Sequence, residues 1–293
     1  MTYTTGEQVT GISSHAQDQI LIRLWKNRNG RIGLLIVGLL LLAALVSLLG
    51  LLPYSPTEQH PADSLTPPSA EYWMGTDQFG RDIFSRVADG IKASLQVAVM
   101  AVLLASVVGT LMGIVAGFFG GRIDRVLTRV MDVLFAFPAI LLALAVVAAL
   151  GGGLLNTALA IAVVYTPIFA RVARGPVLAI RDVDYVRAGR VLGFSPARLL
   201  FRHILPNITA AIVVQVALAL SWAILTESGL SFLGLGTQPP QPSLGLMVSE
   251  ARTLAITAWW TLAFPSAAIV VAVIGLNLLG DGLRDVLDPT HQD

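Results

Sequence analysis

Apolar residues in this chain gather into long runs, divided by polar segments that carry most of the Pro and charge. A helix that crosses a bilayer needs roughly 20 mostly apolar residues, with a working range of about 17–25. Six runs meet that length: residues 32–52, 93–119, 133–150, 154–170, 208–225 and 258–279. The first contains no charge, follows Arg23, Lys26, Arg28 and Arg31, and is closed by Pro53. Residues 53–92 hold Pro56, Pro61, Pro67 and Pro68 and then a Gly-Arg-Asp cluster, and are expected to form an outside loop. The second run ends at Gly120-Gly121, and the third at Gly151-Gly152-Gly153. Pro138 in the third run and Pro167 in the fourth read as packed kinks, which membrane helices tolerate where neighbours satisfy the freed backbone groups. Gly109, Gly113 and Gly117 fall on one face of the second run, a spacing that lets helices approach closely. Residues 227–257, with Pro239, Pro240 and Pro242, read as loop.

Six crossings put both termini on one side, and the distribution of Lys and Arg says which. Four lie before the first run, three follow the second, seven lie in residues 171–207 and one near the C-terminus. The opposite side holds Arg81, Arg86, Lys92 and Arg252. The expected layout is therefore a cytoplasmic tail (1–31), a first transmembrane helix (32–52) and an extracytoplasmic loop (53–92). A five-helix core (93–280) follows, with the cytoplasmic loop 171–207 inside it, and then a cytoplasmic tail (281–293). The polar N-terminal tail is unlike a cleavable signal peptide, so the first run is expected to be retained.

Composition narrows the class. The chain is 55% hydrophobic and only 13% charged, with a mean hydropathy of +0.75. Soluble domains carry about 25% charged residues, so lipid must solvate much of this surface. The net charge of +1 gives no basic field for nucleic acid. With no cysteine there is no disulfide, thiolate metal site or Cys nucleophile. His15, His60, His203 and His291 lack second ligands at helical spacing, so no metal site is expected. No catalytic constellation is evident, which disfavours a membrane enzyme. A stand-alone channel or ion-driven carrier would place charge along its spans, and these spans have almost none. A G-x-x-x-x-G-K-[ST] phosphate loop is missing, and neither Lys26 nor Lys92 follows a glycine. No cofactor is expected in this chain.

The basic segment 171–207 is the most informative. Asp182 and Asp184 suit the start of a helix, where the macrodipole favours carboxylates. Val183, Val186 and Val191 interleave with Arg187 and Arg190, so this helix is amphipathic. Gly193 fits a left-handed C′ position. Ser195-Pro196 restarts a helix as N-cap and N1, and Leu205-Pro206-Asn207 leads into the fifth span. Such a helix–turn–helix either lies on anionic lipid or fits a groove on a partner.

The ending His203-Ile204-Leu205-Pro206, with Gly193 before it, resembles the signature cytoplasmic loop of ABC importer permeases. Arg187-Ala188-Gly189 occupies the Glu-Ala-Ala position and departs from it at its first and third residues. Three further blocks resemble the dipeptide/oligopeptide/nickel group: Trp73 through Asp82, Leu230 through Gly236 with Pro239-Pro240 after it, and Asn277 through Pro289. The polar tail before the first span is similar to the "C" rather than the "B" permease subunit. The resemblance covers nearly the whole chain from about Leu24 on. It implies an all-α, six-helix, type I ABC importer permease in the inner membrane of a bacterium. It implies three kinds of protein partner besides the bilayer, and no nucleic acid: a paralogous permease, two ATPases that hold ATP and Mg, and an extracytoplasmic solute-binding protein. The cargo implied is a di- or oligopeptide, with nickel chelates, glutathione and oligosaccharides as alternatives.

Tyr185, Arg187, Ala188, Arg190, Gly193, Phe194, Ser195, Leu205 and Pro206 are accordingly expected to form the ATPase contact. Asp77, Arg81 and Asp82 are expected to fix the outside loop or meet the binding protein. Glu227, placed at the outer end of the fifth span, reads equally as a pathway group or an interfacial carboxylate in water.

Overall fold

A computed structural model describes residues 22–287, which are helical apart from turns, loops and one isolated β-bridge between Thr76 and Asp82. The main helices are α1 (Arg28–Leu48), α2 (Ile83–Phe119), α3 (Gly121–Phe135), α4 (Ala139–Leu150), α5 (Leu154–Ile180), α6 (Asp184–Val191), α7 (Pro196–Leu199), α8 (Leu205–Phe232), α9 (Leu244–Ala251) and α10 (Trp259–Leu287). Five stretches are long and apolar enough to cross a membrane, and the bent pair α3–α4 makes a sixth if counted as one span.

The helices outrun the apolar runs. α1 starts and stops four residues before the expected 32–52. Asn27 caps its start by accepting from the Gly30 N–H at 3.0 Å, and Gly50, at φ 68°, turns the chain at its end. α2 begins ten residues before the expected 93, inside what read as loop 53–92, because Asp82 accepts from the Ser85 N–H at 2.8 Å. At about 1.5 Å per residue its 37 residues span about 55 Å, well beyond the hydrocarbon core. α5 runs to Ile180, ten residues into the segment read as loop 171–207. α8 includes Glu227, and α9 fills part of the expected loop 227–257. α10 carries seven residues of the expected tail 281–293. Hydropathy stops at the first charges, whereas a backbone ladder continues wherever those charges find partners.

The third run differs most. It is not one continuous helix: α3 and α4 meet at 92° around Pro138, which caps α4. Proline lacks the N–H an inner turn needs and pushes the preceding residue out of helical geometry. Pro167, by contrast, sits inside an unbroken α5.

α2 and α5 form the axis of the bundle. A Cβ at Gly109 would strike Thr166 and Phe169, one at Gly113 would strike Ala170 and Ala173, and one at Gly117 would strike Val177. The small-residue face thus seats the two backbones against each other, as the spacing implies. α1 lies on α10, where Gly33 abuts the Leu279 backbone and Gly282 abuts Gly30. The terminal block Asn277 through Leu287 is therefore a packing face, with the Asn27 amide donating to Asp285 at 2.9 Å. Residues 1–21 and 288–293, with His15, His291 and the Asp288-Pro289 end of that block, lie outside the described residues.

Candidate functional site

The segment after α5 is a compact knob. Arg181 donates from Nη1 to the Gly117 carbonyl at 2.8 Å, fixing the end of α5 to α2. α6 follows, capped at Val183 rather than at Asp182. It ends in a Schellman turn: the Phe194 N–H reaches the Gly189 carbonyl at 3.0 Å and the Gly193 N–H reaches Arg190 at 3.1 Å. Gly193 has φ 76°, the left-handed geometry expected of it. The Ser195 hydroxyl then accepts from the Arg198 N–H at 3.3 Å, with Pro196 in the first turn of α7. A π-helical turn, Leu200–Ile204, passes without a break into α8.

The knob has two faces. Val186, Leu199 and Ile204 are buried, and Leu200, Ile204 and Ile208 pack on Ile114, Ala173 and Val177. Gly189 is buried as well, and a Cβ there would lie 2.8 Å from Leu199 and 3.1 Å from Phe194. The glycine at the third signature position is thus what lets α6 seat on α7. Tyr185, Arg187, Ala188, Arg190, Gly193 and Ser195 are exposed, although the Arg190 guanidinium lies over the Phe118 ring at 4.9 Å and the Tyr185 hydroxyl accepts from Asn207 at 3.3 Å. Phe194 is half-buried, sandwiched between the His203 ring, stacked at 6.2 Å, and the Arg198 guanidinium at 4.9 Å. Leu205 is partly buried against the Ile114–Ile208 cluster, and Pro206 is exposed. Val191 and Leu192, absent from the expected contact set, project at the tip with 88% and 72% of their surface exposed. Their place just before Gly193, the turning point, is the signal that marks them.

The other end of the bundle holds a charge ring. Asp77 accepts from Arg81 Nε at 2.6 Å and lies 3.4 Å from Arg86 Nε. Glu250 Oε2 accepts from Arg81 at 3.2 Å and from Arg86 at 3.1 Å. Asp77 also caps the backbone of its own turn, taking the Phe79 and Arg81 N–H groups at 2.8 and 3.1 Å. Asp82 caps α2. These three residues fix the loop, and Arg81 and Asp82 are buried. Arg86 and Glu250 complete the ring, and no local pattern pairs residues 164 apart. Glu227 is fully buried within this chain, accepting from Ser94 and Ser231 hydroxyls at 2.6 Å each.

A bundle of membrane-crossing helices with a helix–turn–helix knob on one end is the architecture of a permease of type I ABC importers. One chain of the MetNI methionine ABC transporter, in an inward-facing conformation, shares the fold with a TM-score of 0.58. The two are 16% identical, and the match covers 69% of this chain and 96% of that one. The chain belongs to the family of binding-protein-dependent transport system inner membrane components, whose profile matches residues 109–291. The N-terminal TM domain of oligopeptide transport permease C matches residues 18–68. The dipeptide transport system permease protein DppC of Alkalihalophilus pseudofirmus is 45% identical over 91% of this chain and 88% of its own. The glutathione transport system permease protein GsiD of Pectobacterium atrosepticum is 44% identical over 82% of this chain and 80% of its own. The chain is thus a multi-pass inner-membrane permease of an ABC importer.

Proposed function

We propose that this permease passes di- and oligopeptides inward, as a heterodimer with a paralogous permease. Two cytoplasmic ATPases hold ATP and Mg and supply the work, and an extracytoplasmic binding protein delivers the peptide. The chain itself is non-catalytic, and its termini and knob lie on the cytoplasmic side. The observation that carries this reading is the knob. An apolar tip of Val191 and Leu192, flanked by Arg187 and Arg190, rides on a buried, rigid base. Exposed apolar groups rimmed by charge mark a docking surface, and a short helix presented this way suits a groove on a partner. ATP-driven closure of the ATPase pair then biases the spans between two arrangements through that contact. The peptide reading rests on the dipeptide, peptide and glutathione permeases to which the chain is similar.

The test is co-purification of the ATPases with the full chain carrying Leu192→Asp, followed by ATP-driven uptake of labelled dipeptide and of glutathione into proteoliposomes holding the complete system. Loss of ATPase and of uptake is expected, with dipeptide preferred in the parent. ATPase retained with unaltered uptake rejects the knob as the contact. Glutathione uptake without dipeptide uptake moves the substrate.

A further inference from the structure

Between the end of α1 and the start of α2 the loop folds round a cavity of about 380 Å³, at the lower end of the roughly 300–1,000 Å³ of small-molecule sites. Tyr54, Trp73 and Phe84 give it three aromatic walls, and Glu71 and Asp82 give it two carboxylates. The walls are set by packing within the chain. Tyr54 stacks on Tyr72 with ring centroids 5.2 Å apart, and Trp73 packs edge-on against Phe84 at 4.9 Å. The Tyr54 N–H donates to the Ser85 hydroxyl at 3.4 Å, which in turn donates to Asp82 Oδ2 at 2.6 Å.

Asp82 is the buried member of this lining, with 3% of its surface exposed. Its Oδ2 is satisfied by the Ser85 N–H and hydroxyl, and the N-terminus of α2 favours its charge. Its Oδ1 has no hydrogen-bond partner among the described residues, and neither Asp82 nor Glu71 has a basic side chain within salt-bridge reach among them. Arg81 and Arg86, the arginines nearest in sequence, are taken up by Asp77 and Glu250. Residues 53–82 carry five carboxylates against one arginine and no lysine, so nothing else in the loop offsets the charge. A buried carboxylate oxygen without a partner is costly, and a cation in the cavity supplies the missing one. The Tyr54 phenol reports the same negative field: burial first, then Glu71, Asp82, Asp63 and Glu58, push it above its ordinary 10.0.

We propose that this cavity binds an alkylammonium group, of the kind carried by the N-terminus of a peptide. Asp82 Oδ1 accepts from the ammonium N–H groups, Glu71 at the exposed rim balances the remaining charge, and the rings attract the cation and cover its alkyl part. A bare metal ion fits less well, because the described residues hold no group of three ligating side chains and the aromatic walls offer it no oxygen. That the amine belongs to a peptide rests on the peptide reading above; that the ligand is an amine rests on the cavity.

The test is isothermal titration calorimetry of the full chain in detergent with alanylalaninamide, which carries the ammonium and no carboxylate, and with its N-acetyl form, which carries neither. The amine is expected to bind, and the acetylated form to bind about tenfold more weakly or worse. Asp82→Asn keeps an N-cap for α2 and is expected to weaken amine binding by about tenfold or more. Glu71→Gln and Trp73→Leu, at exposed positions, are expected to weaken it about two- to fivefold each. Glu58→Gln removes a carboxylate from the same loop without touching the cavity and is expected to keep the parent's affinity. Equal binding of the amine and its acetylated form overturns the proposal. So does unaltered binding in both Asp82→Asn and Glu71→Gln, or a loss in Glu58→Gln as large as theirs. The measurement needs neither ATPase nor uptake, so it stands or falls separately from the peptide-uptake assay.

Discussion

The backbone N–H of Phe194 meets the carbonyl of Gly189 at 3.0 Å, closing the turn that points the knob outward. Both glycines in that turn are needed, for different reasons. Gly193 has open space around it but a left-handed backbone, which costs an L-residue roughly 1–2 kcal/mol. Gly189 has ordinary geometry but no room. Gly193→Ala is expected to lower stability by about 1 kcal/mol, and Gly193→Asn by less, because Asn visits this region readily. Gly189→Leu is expected to cost about 1–3 kcal/mol through overpacking against Leu199 and Phe194. Thermal unfolding of the purified chain reads all three, and equal stability of Gly189→Leu and the parent would refute the packing role.

The buried carboxylate of Glu227 ties α8 to α2 through Ser94 and closes on Ser231 within its own helix. Glu227→Ala leaves a cavity and two hydroxyls without their acceptor, and a loss of about 3 kcal/mol is expected. Glu227→Gln keeps one acceptor and is expected to cost about 1 kcal/mol. Substrate preference is expected to stay with the parent's in any Gln variant that folds. A stable Glu227→Gln with altered preference, measured by uptake competition, would instead place this carboxylate on the pathway.

Arg86 is the most buried member of the charge ring, and Glu250 keeps a quarter of its side chain exposed. Breaking a buried pair from one side costs about 3–5 kcal/mol. Arg86→Ala is expected near the lower end, about 3 kcal/mol, since water still reaches Glu250. Arg81→Ala leaves Arg86 in place and is expected to cost less. A double-mutant cycle of Arg86 with Glu250, measured by chemical unfolding in detergent, checks the coupling, and additive effects would count against it.

Tyr72 donates to Asp63 Oδ2 at 3.0 Å in the loop between α1 and α2. Burial first, and the hydrogen bond to Asp63 second, push its phenol up to about 12 from an ordinary 10.0. A raised pKa means that the folded loop holds the proton more tightly than the unfolded chain does. The stability it contributes is complete below pH 10 and is lost as pH rises through about 12. Tyr72→Phe is expected to remove this alkaline sensitivity. Phenolate absorbance of parent and variant across that window is the measurement, and a Tyr72 that titrates near 10 would contradict the geometry.

The class and the general plan of the chain rest on local features that hydropathy and capping rules report. Runs of apolar residues must be solvated by lipid wherever they fold, and five of the six expected spanning stretches are single long helices, while the third is the bent pair α3–α4. The knob is equally local: Gly193, Ser195 and Pro196 act on their immediate neighbours, and the turn they specify is the turn observed. The face of Gly109, Gly113 and Gly117 is legible as a packing face, though not its partner, α5. Helix ends were not legible where charge continued the helix. The first turn of α2 carries Arg86 into a buried position, where its charge is met by Glu250, 164 residues away. α3 was not legible as one helix either, because a hydropathy run beginning at 133 divides it in two.

By itself, the amino-acid sequence determined that this is a helical membrane protein with a glycine-hinged knob, because solvation and backbone conformation act residue by residue. Only the tertiary structure decided that α3 and α4 meet at 92°, that Gly189 is a seat for Leu199, and that Glu227 is held by Ser94. Those outcomes depend on which groups share a desolvated space, and burial leaves each polar group only the partners that packing brings within hydrogen-bond reach.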